Sequence, residues 1–402
     1  MAALQLRPVL VLAHRYVGLA TALFLLVAGL TGAVLAFMKE LDEALNPHAY
    51  QVETRGAPLG PDALAAIVSK TDPRVSVVYM GLERRPGRAG LVVAEGRDPA
   101  TGLEVDIPAT WFNMDPISGE ILAQRRWGEC CFGRLQIVPF LYELHHNLML
   151  PGLIGVFVMG GVAIFWVFDC FFGLALTFPR GRPFFAKWKP AFTIKGGSSF
   201  RLNLDLHRAF GLWVWLLLLA VAISSVAMNL RREVFEPVVS IFSKVTESPI
   251  DARGVPSETR IEPNLTFDPI LDMAEKEAAR RGWTLPATEI FYSEGIGLYG
   301  VGFGDENDPF NNPWLYFDGK TGAYSGDVVP GTGTAGDIFI QLQYPIHGGR
   351  IAGLFGRIVI AVTGVLIAVL SVTGVVVWWV KFSGRRARAR KATLAAGAGA
   401  AR

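Results

Sequence analysis

Long apolar stretches alternate with long mixed ones along this chain. Four stretches, roughly residues 10–38, 147–178, 206–229 and 351–380, carry few charges and reach the length of about 20 residues that a helix needs to cross a bilayer. The first is too long for the core of a signal peptide, and no small-x-small cleavage pattern follows it, so a retained helix is expected.

The connections show a different period. Each opens on a helical pattern, PDALAAIVSK at 61–70 and DPILDMAEKEAARRG at 268–282. Each then alternates as half-buried strands do: VSVVYMGL and GLVVAEG in one, EIFYSEGIGLYGVGFG and WLYFDG in the other. Both contain tight-turn chemistry, Asp115-Pro116 with Ser118-Gly119 and Asp318-Gly319 with Thr321-Gly322. The pattern predicts two small α+β domains. The expected division is a helix over 1–38, a domain over 39–146, a helix over 147–178, a basic loop over 179–204, a helix over 205–229, a second domain over 230–346, a helix over 347–381 and a basic tail over 382–402. The acidic stretch GDENDPFNNPW at 304–314 is expected to be a solvated loop.

The order of span, domain and span occurs twice. Spans one and three open alike, HRYVGL at 14–19 and HRAFGL at 207–212. Aligning spans two and four without gaps at an offset of 201 places Gly152 on Gly353, Gly155 on Gly356 and Gly173 on Gly374. Two halves of the same topology imply a parallel repeat about an axis along the membrane normal, and hence a transmembrane bundle of four helices.

Composition and charge then fix class and orientation. At 51% hydrophobic and 18% charged residues, the chain is expected to be a membrane protein with sizeable soluble parts. A net charge of +3 gives no argument for nucleic-acid binding. Arg180, Arg182, Lys187, Lys189, Lys195 and Arg201 crowd the loop between spans two and three, and Lys381, Arg385, Arg386, Arg388, Arg390 and Lys391 follow span four. Short basic segments stay on the cytoplasmic side. Both termini are therefore expected inside a bacterial inner membrane, with the long connections in the periplasm. Three cysteines give neither a disulfide framework nor a CxxC or CxxCH motif; Cys130 and Cys131 are expected as ordinary thiols, with a vicinal disulfide as the alternative.

The six histidines stand at positions 14, 48, 145, 146, 207 and 347, and five lie at span ends. Lys and Arg would anchor helix ends equally well, so the clustering of histidine points to chemistry. The repeat yields two pairs at two depths, His14 with His207 and one of His145 or His146 with His347. Neutral imidazole ligates haem iron, zinc or copper. Zinc ordinarily wants four ligands, whereas haem iron needs two axial ones and a macrocycle lodged between helices. Gly18, Gly152, Gly211 and Gly353 are expected to make room for that macrocycle, and Arg15, Arg208 and Arg350 to face its propionates. Two b-type haems, each between two histidines, would form an electron path across the bilayer. Asp169, inside span two, is expected to pair with Arg15 or Arg208.

The chain resembles the PepSY-associated transmembrane family. The likeness runs over nearly the whole chain through HRYVGL, LNP at 45–47, HNLMLPG, DLHRAFGLW, IHGGRIAGLFGR, a late TG at 373–374 and WW at 378–379. Span three departs from the family pattern, with Ser224-Ser225 where a TG is usual. The family includes inner-membrane ferric-siderophore reductases with two b-type haems and PepSY-like periplasmic domains. Its His-to-Gly spacing of six residues, like the 201-residue repeat, selects His146 with Gly152 and His347 with Gly353 as the outer site. His145 then becomes a neighbour of that site. The resemblance implies a reductase that takes electrons from a cytoplasmic reductase or a quinol and delivers them to a periplasmic ferric siderophore. The alternatives are a haem-free peptide-binding or protease-regulating anchor, or a quinol-linked reductase of another acceptor. No GxGxxG follows a strand and no P-loop is present, so neither a nicotinamide nor a Rossmann flavin site is expected in this chain.

Overall fold

A computed structural model describes residues 6–305 and 312–400, with side chains to Ala389. Most of the acidic stretch at 304–314 lies outside them. The helix α1 (Leu6–Leu35) leads into α2 (Met38–Leu45) and α3 (Pro61–Ser69). Strands β1 (Val75–Gly81), β2 (Gly90–Gly96), β3 (Trp111–Met114) and β4 (Ile121–Arg125) precede α4 (Arg134–Asn147) and α5 (Ile154–Thr177). Then come α6 (Phe184–Trp188), α7 (Ser199–Trp213), α8 (Trp215–Asn229), α9 (Glu236–Ser240) and α10 (Phe267–Arg280). Strands β5 (Ala287–Ser293), β6 (Leu298–Phe303), β7 (Trp314–Asp318) and β8 (Tyr324–Val328) are followed by α11 (Ala335–Gln341), α12 (Gln343–His347) and α13 (Gly353–Ala400). The chain divides into two units, 1–36 with 142–236 and 346–402, and 37–141 with 237–345.

In the helical unit, α1, α5 and the stretch Arg350–Ala389 are long and apolar enough to cross a membrane. The expected third span is not one helix. It is α7 and α8, bent by 69° at Val214, and counts as a fourth span only if the pair is taken together. The basic stretch 179–204 is also more ordered than a loop: α6 sets Trp188 among Phe178, Phe184 and Phe192, and α7 already begins at Ser199 under a Ser198 cap. The expected tail from residue 382 continues α13 as helix. Helices α1 and α13 cross closely at Gly29 and Gly364, where a Cβ on either would meet the carbonyl oxygen of the other. Small residues at a crossing let helices pack in a bilayer, where water exclusion gives no drive for association.

The second unit corrects the expectation of two α+β domains. The two connections share one eight-stranded antiparallel sheet, in the order β4-β3-β2-β1-β5-β6-β7-β8. Each half is a meander, and β1 pairs with β5 through Tyr79 opposite Phe291 and Met80 opposite Ile290. One core spans both halves, with Met80, Phe112 and Met114 joined by Ile290, Tyr299 and Phe303 beneath Leu64, Val68, Ile270 and Ala274 of the two helices. Asp62 accepts from the backbone amides of Phe267 and Asp268, and Asp268 accepts from that of Asp62. Helices α3 and α10 thus supply carboxylates to each other's first turns, where free N–H groups need acceptors. The hairpin turns lie where the Asp115 and Asp318 motifs predict them, between β3 and β4 and between β7 and β8. The sulfurs of Cys130 and Cys131 lie in contact as a vicinal pair.

Candidate functional site

Four histidines of the helical unit meet in two pairs. His14 of α1 faces His207 of α7 with ring centroids 6.2 Å apart. His145 of α4 faces His347 of α12 at 6.1 Å. The second pair corrects the choice of His146, whose ring instead stacks on Tyr142 at 5.8 Å.

The reason lies in the turns between the short helices and the spans. Gly152 and Gly353 both adopt left-handed φ, +57° and +58°, the one two residues before α5 and the other at the first residue of α13. They are equivalent, as the offset of 201 requires. The first turn, however, holds one residue more: Gly152 is seven residues after His145, while Gly353 is six after His347. It also carries Leu148 and Met149 at φ +59°, where the second turn has a left-handed Gly349. An ungapped alignment registered on the glycines therefore slips by one at the histidines. A Cβ on Gly152 or Gly353 would meet nothing within 4 Å, and it is the positive φ of both that makes glycine the residue suited to these turns.

In all four histidines Nδ1 is the nitrogen already engaged. His14 Nδ1 lies 2.8 Å from Asp169 Oδ1, and His207 Nδ1 lies 3.1 Å from the Leu370 carbonyl and 3.0 Å from Thr373 Oγ1. His145 Nδ1 lies 3.0 Å from Thr31 Oγ1, and His347 Nδ1 lies 3.0 Å from Ser224 Oγ. The direction of each bond follows from its partner. A carboxylate and a carbonyl only accept. The Thr31, Ser224 and Thr373 hydroxyls donate their single proton to the carbonyls of Val27, Val221 and Val369, so toward histidine they too must accept. Each imidazole therefore carries its proton on Nδ1 and keeps a lone pair on Nε2, which makes no hydrogen bond among the described residues. That tautomer, with a held Nδ1–H, is the arrangement of a metal-ligating histidine.

The spacing fits as well. Two imidazoles that both bind one ion through a nitrogen about 2.0–2.1 Å away need their ring centroids within roughly 6–6.5 Å of each other. Both pairs fall at or beside that separation. Among the described residues no three His, Cys, Asp or Glu side chains gather to hold an ion. A metal at either pair would therefore take its remaining ligands from outside these side chains.

Small residues admit the rings. A Cβ on Gly32, Gly173 or Gly374 would come within 2.8, 3.4 and 3.1 Å of Cε1 of His145, His14 and His207 respectively. A cavity of about 550 Å³ opens at the His14/His207 pair, within the range of small-molecule and cofactor sites. Gly18, Gly211, Trp166, Trp215 and Trp378 are among its lining residues, with Arg7, Arg15, Arg208, Lys381 and Arg385. Arg208 also bonds Asp205 and the carbonyls of Pro190 and Ala191, which fixes it to the 179–204 segment. Arg350 lies in the 3₁₀ turn before α13. Asp169 departs from its expected arginine partner and holds His14.

The sequence reading missed Thr31, Ser224 and Thr373. A signal for the first two was present: Thr31 follows His14 by 17 residues and Ser224 follows His207 by 17. The Ser224-Ser225 departure from TG thus keeps the hydroxyl.

Residues 11–381 match the family model described as the PepSY-associated TM region. No curated protein matches the chain.

Proposed function

Because this chain belongs to the PepSY-associated transmembrane family, we propose that it carries electrons across a bacterial inner membrane through two bis-histidine b-type haems and reduces a periplasmic ferric siderophore. The observation that carries this reading is the pair of facing imidazoles at each site, all four with Nδ1–H held and Nε2 free. When bound, a haem supplies a one-electron couple at each level. His14 and His207 would hold one, His145 and His347 the other. A haem held by two histidines would serve electron transfer rather than O₂ binding.

The chain's own residues do the rest. Asp169, Thr31, Ser224, Thr373 and the Leu370 carbonyl fix tautomer and ring orientation. Arg15, which lines the cavity of the first site, is suited to a propionate, and Arg208 is the second choice there. The α7/α8 pair, taken as one span, completes a four-helix bundle. Basic residues in 179–204 and after residue 380 favour the cytoplasmic side for both termini. With no nucleotide motif in the chain, the donor is a separate cytoplasmic reductase or a membrane quinol. Reduction of the substrate iron loosens its hard oxygen ligands, because Fe²⁺ carries less charge than Fe³⁺.

The test is anaerobic. Dithionite-reduced protein, freed of excess reductant and mixed with a ferric siderophore, is expected to reoxidise as Fe(II) appears. Haem bands that stay reduced would overturn the acceptor. Absence of a Soret band would overturn the carrier and leave the haem-free anchor.

A further inference from the structure

The four imidazoles are not held by equal partners, and we infer that this inequality gives electron flow its direction: the Asp169 carboxylate, acting through His14, keeps the His14/His207 site at a lower reduction potential than the His145/His347 site. The inference rests on the proposed haem ligation. Three of the four Nδ1–H groups donate to neutral oxygens, of Thr31, of Ser224, and of Leu370 with Thr373. His14 alone among the four donates to a carboxylate, at 2.8 Å, on a side chain 14% exposed. The repeat sharpens the contrast. At the offset of 201, Asp169 corresponds to Leu370. The same position thus serves the inner histidine in both halves, by a backbone carbonyl in one and an acid in the other.

A carboxylate acceptor draws the Nδ1 proton and raises the basicity of Nε2. It also places a negative charge one imidazole away from the metal in a setting of low dielectric. Both effects favour the ferric over the ferrous state and lower the potential. The cavity's cations act in the opposite sense, but less directly. Arg7 is bonded to the carbonyls of Leu176 and Phe178, Arg15 would be taken up by a propionate of opposite charge, Arg208 is paired with Asp205, and Lys381 and Arg385 are exposed to screening. Asp169 touches the ligand itself. In the proposed orientation the electron then falls from the inner site to the outer one. Asp169 is a positioning residue, since it acts only through His14.

Potentiometric titration of the full chain in detergent tests this, with Asp169→Asn, Asp169→Glu and His145→Ala beside the wild type. Wild type is expected to show two midpoints. In Asp169→Asn, which keeps size and a hydrogen-bond acceptor, the lower one should rise by at least a tenfold change in the reduction equilibrium, about 59 mV for one electron, while the upper one stays. Asp169→Glu should hold the lower midpoint low, and it carries the test if the Asn variant loses a haem. His145→Ala should lose the upper midpoint. Two haems whose midpoints ignore the charge at 169, or a His145→Ala protein that keeps the upper midpoint and loses the lower one, would overturn the inference while leaving the proposed function intact. A chain without haem would overturn both.

Discussion

Thr31 and His145 lie 114 positions apart, yet Thr31 Oγ1 accepts the Nδ1 proton of His145 at 3.0 Å, and Ser224 does the same for His347 at 3.0 Å. The two hydroxyls stand at equivalent places in the repeat. Each is itself anchored to a carbonyl one turn back in its helix, so each presents only a lone pair to histidine. Removing either should free a ring to rotate without unfolding the bundle. Thr31→Val and Ser224→Ala are expected to weaken haem retention at the second site by about 10–100-fold, the usual cost of losing a bond behind a metal ligand. The measurement is haem loss to apomyoglobin; the midpoint of the other site should not move.

Gly32 tests the ring's position by bulk. A Cβ there would lie 2.8 Å from His145 Cε1. Gly32→Val is expected to displace His145 and empty the second site, whereas Gly161→Ala, with nothing within 4 Å of an added Cβ, should leave two haems bound. Equal haem content in the two variants would contradict the placement of His145.

The sheet unit should weaken in acid. Burial works to raise the Asp318 carboxyl, but the Arg253 guanidinium and the amides of Thr321 and Lys320 hold it down to about 2. A carboxyl with a depressed folded pKa stabilises above its unfolded value, near 4, and loses that contribution as pH falls toward 2. A shift of this size is worth about 2 kcal/mol at most, and solvent around the pair reduces it to about 1 kcal/mol. Asp318→Asn should therefore lower stability to denaturant at pH 7 and converge with wild type near pH 2.

Arg125 is a buried cation of that unit. It is 2% exposed, binds Asp42 through two nitrogens, and lies beside the stacked rings of Trp111 and Trp127. Arg125→Ala leaves Asp42 buried without its partner and should cost about 3–5 kcal/mol. Replacing both, as Asp42→Asn with Arg125→Met, should cost less than the single change in the same unfolding titration.

Much of this was legible in the sequence. Apolar length found α1, α5 and α13, and the HRxxGL repeat found His14 and His207. Asp-Pro and Asp-Gly located the hairpins. What the sequence hid was tertiary or depended on one residue. Pairing of β1 with β5 joins segments some 200 residues apart, and no local period announces it. The break at Val214 has no proline to mark it. The extra residue in the turn after His145 reversed the choice between neighbours that differ by about 100° on a helix. The charge of Asp169 suggests an arginine partner, while its acceptor geometry belongs to His14.

The central claim, that each imidazole pair holds one haem, is tested most directly by the ratio of haem to protein in purified wild type and in five single alanine variants. Two haems per chain are expected in wild type and in His146→Ala. One is expected in each of His14→Ala, His207→Ala, His145→Ala and His347→Ala. Wild-type protein without haem, or a His146→Ala variant that loses one while His145→Ala keeps both, would contradict that claim.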